Sequence, residues 1–167
     1  SGHRLRFLDG RFVAAASNAD DLPNGVSFLA LSQALVDMPE LVRAHLEGED
    51  AGALCDLNAA YLDDGAVIIF DGAPGEEITL ALEYFASDGG SHMPTLHPRN
   101  IIVVRDGAKA TLLESHAGAG AYFALRNLQK ANKKTSAAQK TPKSIYVKQN
   151  PSHQEKFRSC FFSKGNP

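Results

Sequence analysis

Three histidines are the residues of this chain with the clearest capacity for chemistry, since imidazole acts as a general base and a metal ligand near neutral pH. His92, His97 and His116 lie in or beside a region of short apolar runs. Their spacing does not encode a metal site, because the sequence contains no His-x-His or His-x-x-x-His pair. We therefore expect histidines on the surface or in turns, and we assign no metal ligand.

The two cysteines do not offer a better site. Cys55 falls in a predicted helix, where a buried and inert thiol is the usual finding, and no base is positioned to activate it. Cys160 lies far along the chain, and neither cysteine belongs to a Cys-x-x-Cys pair. Neither a disulfide framework nor a zinc ribbon is indicated, and this cysteine usage favours a reduced, cytoplasmic protein.

Acidic pairs and a glycine-rich segment complete the candidates. Asp63-Asp64 and Glu76-Glu77 fall at predicted turns, where solvated charge is expected, because adjacency in sequence does not give catalytic carboxylates a converging geometry. Gly118 and Gly120 follow a predicted strand, but neither GxGxxG nor GK[ST] occurs, so this segment predicts a turn. We assign no catalytic residue, leave cofactor-binding residues unassigned and expect a protein that is not an enzyme.

The formal net charge of −2 conceals two segments of opposite charge. Residues 1–125 carry 7 basic and 18 acidic side chains, whereas residues 126–167 carry 10 basic side chains and one acid. The basic segment also contains four aromatic residues, a combination that can contact phosphates and stack on bases. Polyanion or nucleic-acid binding through this tail is therefore the alternative function, although lysine-rich tails are more often simply solvated.

The elements that would position these residues begin with a hairpin and helices. Apolar residues alternate from Leu5 to Val13 around Asp9-Gly10, a dipeptide typical of a type I′ turn. From Ser27 to Leu46 apolar positions recur at intervals of three and four, which predicts two short helices meeting near Met38. A third helix is predicted from about residue 51 to residue 62.

Downstream, short runs rich in Val, Ile and Leu are separated by Gly-containing turns, which predicts strands. These runs are residues 66–70, 78–86, 100–105 and 110–116. Their connections are too short for crossover helices, so a sandwich, a barrel and a solenoid all remain open. Past Leu125 the chain becomes rich in Lys, Gln and Ser, which predicts disorder or a marginal helix, with a brief strand near residues 144–147.

Five sequence blocks carry a resemblance to a known family. They are LRFLDGRFV at residues 5–13, LCDLNAAYLDDG at 54–65, HPRNIIVV at 97–104, GAKATLLE at 107–114 and the aromatic pair at 122–123. In this order they resemble the SufD branch of the SufB/SufD family, whose members belong to the SufBCD complex for iron–sulfur cluster assembly. The resemblance covers about residues 4–123.

The resemblance implies both a fold and a role. The implied fold is mainly β, with a small α/β N-terminal part leading into a right-handed parallel β-helix, which selects the solenoid. The implied role is a non-catalytic scaffold with SufB-like and SufC-like partners, in which the cluster belongs to the full complex and this chain binds no cofactor. The cluster-associated histidine of the family lies downstream of the match, so no functional residue is carried over.

We therefore predict a small α/β segment at residues 1–62, β-helix rungs at 63–125 and a basic tail at 126–167. The tail does not match the family and is expected to be disordered or foreign to it, for example through a frameshift or a fusion. An exposed β-helix edge predicts self-association. No run approaches the roughly 18 apolar residues of a membrane span and no signal region is seen, so we expect a cytoplasmic location.

Overall fold

The computed structural model describes residues 2–46, 53–71, 77–88, 95–105, 108–118, 123–132, 145–150 and 157–164. Within these ranges the chain is mostly β with some helices, and its strands form two mixed sheets. This confirms the mainly β class and the helical N-terminal part predicted from the sequence. None of the helices in the described ranges has the length and apolar character needed to cross a membrane.

The described chain contains eleven strands and three α-helices. The strands are β1 (His3–Leu8), β2 (Arg11–Phe12), β3 (Val26–Ala30), β4 (Gly65–Phe70), β5 (Glu77–Ala86), β6 (Thr95–Leu96), β7 (Arg99–Val104), β8 (Lys109–Gly118), β9 (Phe123–Asn132), β10 (Ile145–Asn150) and β11 (Phe157–Lys164). The helices are α1 (Leu31–Asp37), α2 (Pro39–Leu46) and α3 (Ala53–Ala60). Two short 3-10 turns, Ala14–Ala16 and Ala19–Asp21, precede β3.

Apart from the short β6, strands from β4 onward alternate between the two sheets. The first sheet has the order β10-β8-β5-β1-β2, and the second has the order β11-β9-β7-β4-β3, with β6 paired to β9. Successive strands within a sheet pair in parallel, so that Gly65 lies in register with Arg99, and Glu77 with Lys109. The antiparallel pairs among the described strands are β1–β2 and β3–β4, and β2 and β3 each lie at the edge of their sheet.

The burial of the strands explains their different sequence patterns. Strand β5 alternates buried and more exposed residues, because one face packs into the core between the sheets and the other faces solvent. Strands β4 and β7 are instead nearly continuous apolar runs, since the core covers one face and helices cover the other. The helical layer packs Leu31, Ala34 and Val42 against the outer face of the second sheet. The core between the sheets includes Leu5, Phe7, Ile68, Phe70, Leu80, Leu82, Ile102, Val104 and Leu112.

The hairpin and the three helices are confirmed, with one correction. Asp9 and Gly10 have φ values of 49° and 83°, the two positive angles that a type I′ turn needs. The helical interpretation of residues 27–30 is wrong, because these residues form β3 and pair with β4. A short apolar run is compatible with a helix or a strand, and here it forms a strand because it can pair with the edge of β4.

The three segments predicted from the sequence share the two sheets. Strand β1 pairs with β5, and β3 pairs with β4, so residues 1–62 and 63–125 contribute to the same layers. Residues 126–167 supply the end of β9 together with β10 and β11, which continue the parallel pairing. Strand β10 lies where the sequence predicts a brief strand. The disorder and the foreign origin expected for the rest of this segment stay predictions.

Gly65 marks a close approach between β4 and β7. A Cβ at this position would lie 1.8 Å from the carbonyl oxygen of Arg99. We expect Gly65→Ala to lower the free energy of unfolding by about 3 kcal/mol, because the two strands must move apart. Urea denaturation measures this change. Gly2→Ala is the control, since nothing lies within 4 Å of the corresponding Cβ position, and equal stability of the two variants would contradict the prediction.

Candidate functional site

Residues 97–100 contact the end of α3 and the start of β4 one after another. The His97 ring stacks on the Tyr61 ring, with 5.4 Å between their centroids. The next residue, Pro98, accepts a hydrogen bond at its carbonyl oxygen from Asn58 Nδ2, at 3.4 Å. Two of the sequence blocks that are distant along the chain therefore meet through specific side chains.

The next two residues, Arg99 and Asn100, make hydrogen bonds to the start of β4. The backbone N–H of Arg99 donates to the carbonyl oxygen of Asp64 at 3.2 Å. The side chain of Asn100 then accepts a hydrogen bond at Oδ1 from the backbone N–H of Ala66, at 3.0 Å. We call residues 58–66 together with residues 97–100 the HPRN junction.

The hairpin block also reaches this junction through two aspartates. The buried carboxylate of Asp64 accepts a hydrogen bond from the backbone N–H of Phe12 at 3.1 Å, and a second from the backbone N–H of Ser32 at 3.0 Å. Beside it, Asp63 is exposed and pairs with Arg11 at 2.8 Å. The expectation of solvated charge is thus confirmed for Asp63 and wrong for Asp64, whose oxygens are taken by backbone donors.

A cluster of buried polar residues lies next to the junction, between the two sheets. The Tyr84 hydroxyl donates to Asn100 Oδ1 at 2.9 Å and accepts from Asn100 Nδ2 at 2.7 Å. The Tyr84 ring stacks between Phe7 and His116, at centroid distances of 4.7 and 4.8 Å. These three rings stack because they lie in register on β1, β5 and β8.

His116 forms the second polar pair of this cluster. Its Nε2 lies 2.8 Å from Oε1 of Glu114, and the two residues are only 5 % and 2 % exposed. This distance is that of a hydrogen bond between the imidazole and the carboxylate. Their burial keeps them from a substrate in solvent, so we interpret the cluster as a polar part of the core whose hydrogen bonds offset the cost of desolvation. The expectation of a surface or turn histidine is wrong for His116.

The remaining histidines and cysteines do not assemble into a site in the described chain. His97 is half-buried beside Tyr61, and His92 lies outside the described residues. Cys55 belongs to α3 and Cys160 to β11, but their side chains lie outside the described part. Within the ranges described above, no three His, Cys, Asp or Glu side chains come together as a metal-ligand group.

The other candidates named from the sequence stay at the surface where they are described. Glu77 is exposed at the start of β5, where its carboxylate accepts a hydrogen bond from the Thr111 hydroxyl. Gly118 is exposed at the end of β8. Glu76 and Gly120 lie outside the described residues.

Three members of the polar cluster were not singled out from the sequence. Tyr84, Asn100 and Glu114 each occupy an inward position of a strand. The signal that would have found Tyr84 and Glu114 is the alternation of period two. Tyr84 continues the inward series of Ile78, Leu80 and Leu82, and Glu114 continues that of Ala110 and Leu112.

Comparison with models of known protein families gives no match to this chain, and comparison with curated proteins gives none either. The resemblance to the SufB/SufD family therefore stays a prediction from the ordered sequence blocks.

The Tyr84 hydroxyl can be tested separately from its ring. We expect Tyr84→Phe to lower the free energy of unfolding by about 1–2 kcal/mol, because it leaves the buried Asn100 amide without this hydroxyl partner while the ring stack is kept. Tyr61→Phe is the matched control at a ring that is 64 % exposed. Denaturant unfolding of both variants checks the prediction, and a loss no larger for Tyr84→Phe than for Tyr61→Phe would count against it.

The burial of His97 predicts that the stability of the fold depends on pH. Burial lowers the pKa of His97 below its usual value near 6.5, and Nδ1 has no hydrogen-bond partner among the described residues. Because the unfolded chain then binds this proton more readily, we expect stability to be lost as the pH falls from about 6.5 through the lower pKa of the folded state.

The variant His97→Gln isolates this effect. Its unfolding free energy, measured by urea denaturation at a series of pH values, should change less between about pH 7.5 and pH 5 than that of the unaltered chain. His3→Gln is the control, because it removes an imidazole from the start of β1. An identical pH dependence for His97→Gln and the unaltered chain would rule out this role.

Proposed function

We propose that this chain is a scaffold component, or a fragment of one, of the SUF system for iron–sulfur cluster assembly. The observation that carries the proposal is the convergence of the resembling blocks on the HPRN junction. Blocks at residues 5–13, 54–65 and 97–104 are far apart in sequence, yet they contact one another through Asp64, Tyr61 and Asn58. The three blocks therefore belong to one packed unit of the described structure, as a family pattern that spans residues 4–123 requires.

The strand topology supports the β-helix that this family implies. Apart from the short β6, strands from β4 onward alternate between two sheets, and from β5 onward each pairs in parallel with an earlier strand of the same sheet. Such alternation is what a coiled chain with two flat faces requires. We infer a right-handed parallel β-helix in which β2 and β3 close the first turn.

The use of the polar residues supports a binding role rather than turnover. Asp64, Asn100 and Tyr84 are hydrogen-bonded within the fold, and the Glu114–His116 pair is buried. Chemistry on a dissolved substrate would need such groups to converge in an accessible cleft. In this proposal the chain acts in the cytoplasm by contacting SufB-like and SufC-like proteins, and the iron–sulfur cluster is the cargo of the assembled complex.

Co-purification tests the proposal directly. The tagged full-length chain is co-expressed with a SufB-like and a SufC-like protein, and both should elute with it at about 0.15 M salt and remain bound at about 0.5 M. Binding of nucleic acid that weakens steeply with salt, together with retention of neither protein, would overturn it in favour of polyanion binding.

A variant with neutral tail residues separates the two functions. Replacing Lys133, Lys134, Lys140 and Lys143 by Gln removes four of the positive charges of the basic segment. Capture of the SufB-like and SufC-like proteins should be unchanged in this variant, whereas any polyanion binding should lose salt dependence and affinity. Parallel loss of protein capture would assign the contacts to the tail and contradict the scaffold proposal.

A further inference from the structure

A cavity of about 510 Å³ opens beside the outer face of β1, and it has no part in the HPRN junction. Its lining includes His3, Arg4 and Arg6 from the strand, and residues 15–18 and Asp21 from the two 3-10 turns. We propose that this cavity binds a small polyol phosphate, with the phosphate on the arginines and the hydroxyl groups toward Asp21. The inference goes beyond the proposed scaffold function and does not depend on it.

The wall of the cavity is held rigidly against β1. The Ser17 hydroxyl accepts a hydrogen bond from the backbone N–H of Arg6 at 2.9 Å and donates to the carbonyl oxygen of Val13 at 2.8 Å. The backbone N–H of Asn18 donates to the carbonyl oxygen of Arg4 at 2.9 Å. These bonds hold the turns in place before any ligand binds, which lowers the entropic cost of binding.

The two arginines are arranged to present guanidinium groups to the cavity. Arg4 and Arg6 are two residues apart on one strand and therefore lie on the same face, opposite the buried Leu5 and Phe7. Glu83 lies 2.7 Å from Arg6 Nε and 3.9 Å from Arg4 Nη1. The carboxylate holds the Arg6 guanidinium through its Nε side, and both arginines line the cavity.

Charge and size together define the ligand class. Paired guanidinium groups match the several oxygens of a phosphate better than the two of a carboxylate, through parallel N–H···O bonds. The cavity is larger than a single phosphate group, so a phosphate fills only part of it. Asp21 supplies a carboxylate that would repel a second anionic group but accepts hydrogen bonds from hydroxyls. A phosphorylated polyol can place its phosphate on Arg4 and Arg6 and its hydroxyl groups beside Asp21.

Calorimetric titration of the full chain tests this site with three probes. Glucose 6-phosphate should bind saturably, inorganic phosphate should bind more weakly, and glucose should not bind. Arg4→Gln should weaken glucose 6-phosphate binding by about tenfold, because it removes one charged donor. Glu83→Gln should strengthen phosphate binding, because it removes a competing carboxylate, and Asp21→Asn should reduce the preference for glucose 6-phosphate over phosphate.

Arg11→Gln is the matched control, since the Arg11 guanidinium pairs with Asp63 outside the cavity. Circular dichroism of each variant verifies that the fold is kept. Absence of saturable binding to the unaltered chain, or equal affinity in Arg4→Gln and Arg11→Gln, would overturn the assignment. Neither result would affect the capture of SufB-like and SufC-like proteins, so the two proposals fail independently.

Discussion

The rest of the structure depends on the buried carboxylate of Asp64. Its two oxygens accept backbone hydrogen bonds from Phe12 in the hairpin and from Ser32 in α1, and its own carbonyl oxygen accepts from Arg99 at the start of β7. The residue that precedes α1 is Ala30, which has no side-chain cap to offer, so Asp64 serves that helix from a distant part of the chain. Through its side chain and its backbone carbonyl, this one residue thus attaches the first sheet, the second sheet and the helical layer to each other. The adjacent Gly65 completes this attachment by permitting the close approach of β7.

The polar residues inside the core add a constraint on register. Moving β8 by one residue relative to β5 would turn Glu114 and His116 outward and bring the exposed Leu113 inward, and it would separate His116 from the Tyr84 ring. The alternation of apolar residues already disfavours such a shift, and the polar pairs add hydrogen bonds that the shift would break. The hydrogen-bonded cluster therefore specifies which residues face each other, beyond any contribution to stability.

Local features of the fold could be predicted from the sequence, and long-range features could not. The turn at Asp9-Gly10 and the helix that begins at Pro39 are determined by residues in direct succession, and both were predicted. The parallel pairing of β4 with β7 joins two segments that are far apart in sequence, and neither segment indicates which strand it pairs with. Periodicity alone therefore leaves the sandwich, the barrel and the solenoid open. The turn at Asp64 suggests a solvated carboxylate, and the local sequence does not show the hydrogen-bond donors in the hairpin and in α1 that bury it. The burial of His116 could not be predicted either, because the ring that it stacks on, Tyr84, belongs to another strand.

The antiparallel edge strands β2 and β3 lie at the end of each sheet where strand pairing starts in chain order. Because β2 and β3 run against their neighbours, neither continues the parallel series, and β5 and every longer strand after it pair with a strand that comes earlier in the chain. During synthesis, each of these strands would leave the ribosome when its partner is already exposed. The molecule can therefore assemble in the order in which it is made, without waiting for its C-terminal residues to complete a strand pair near its N-terminus.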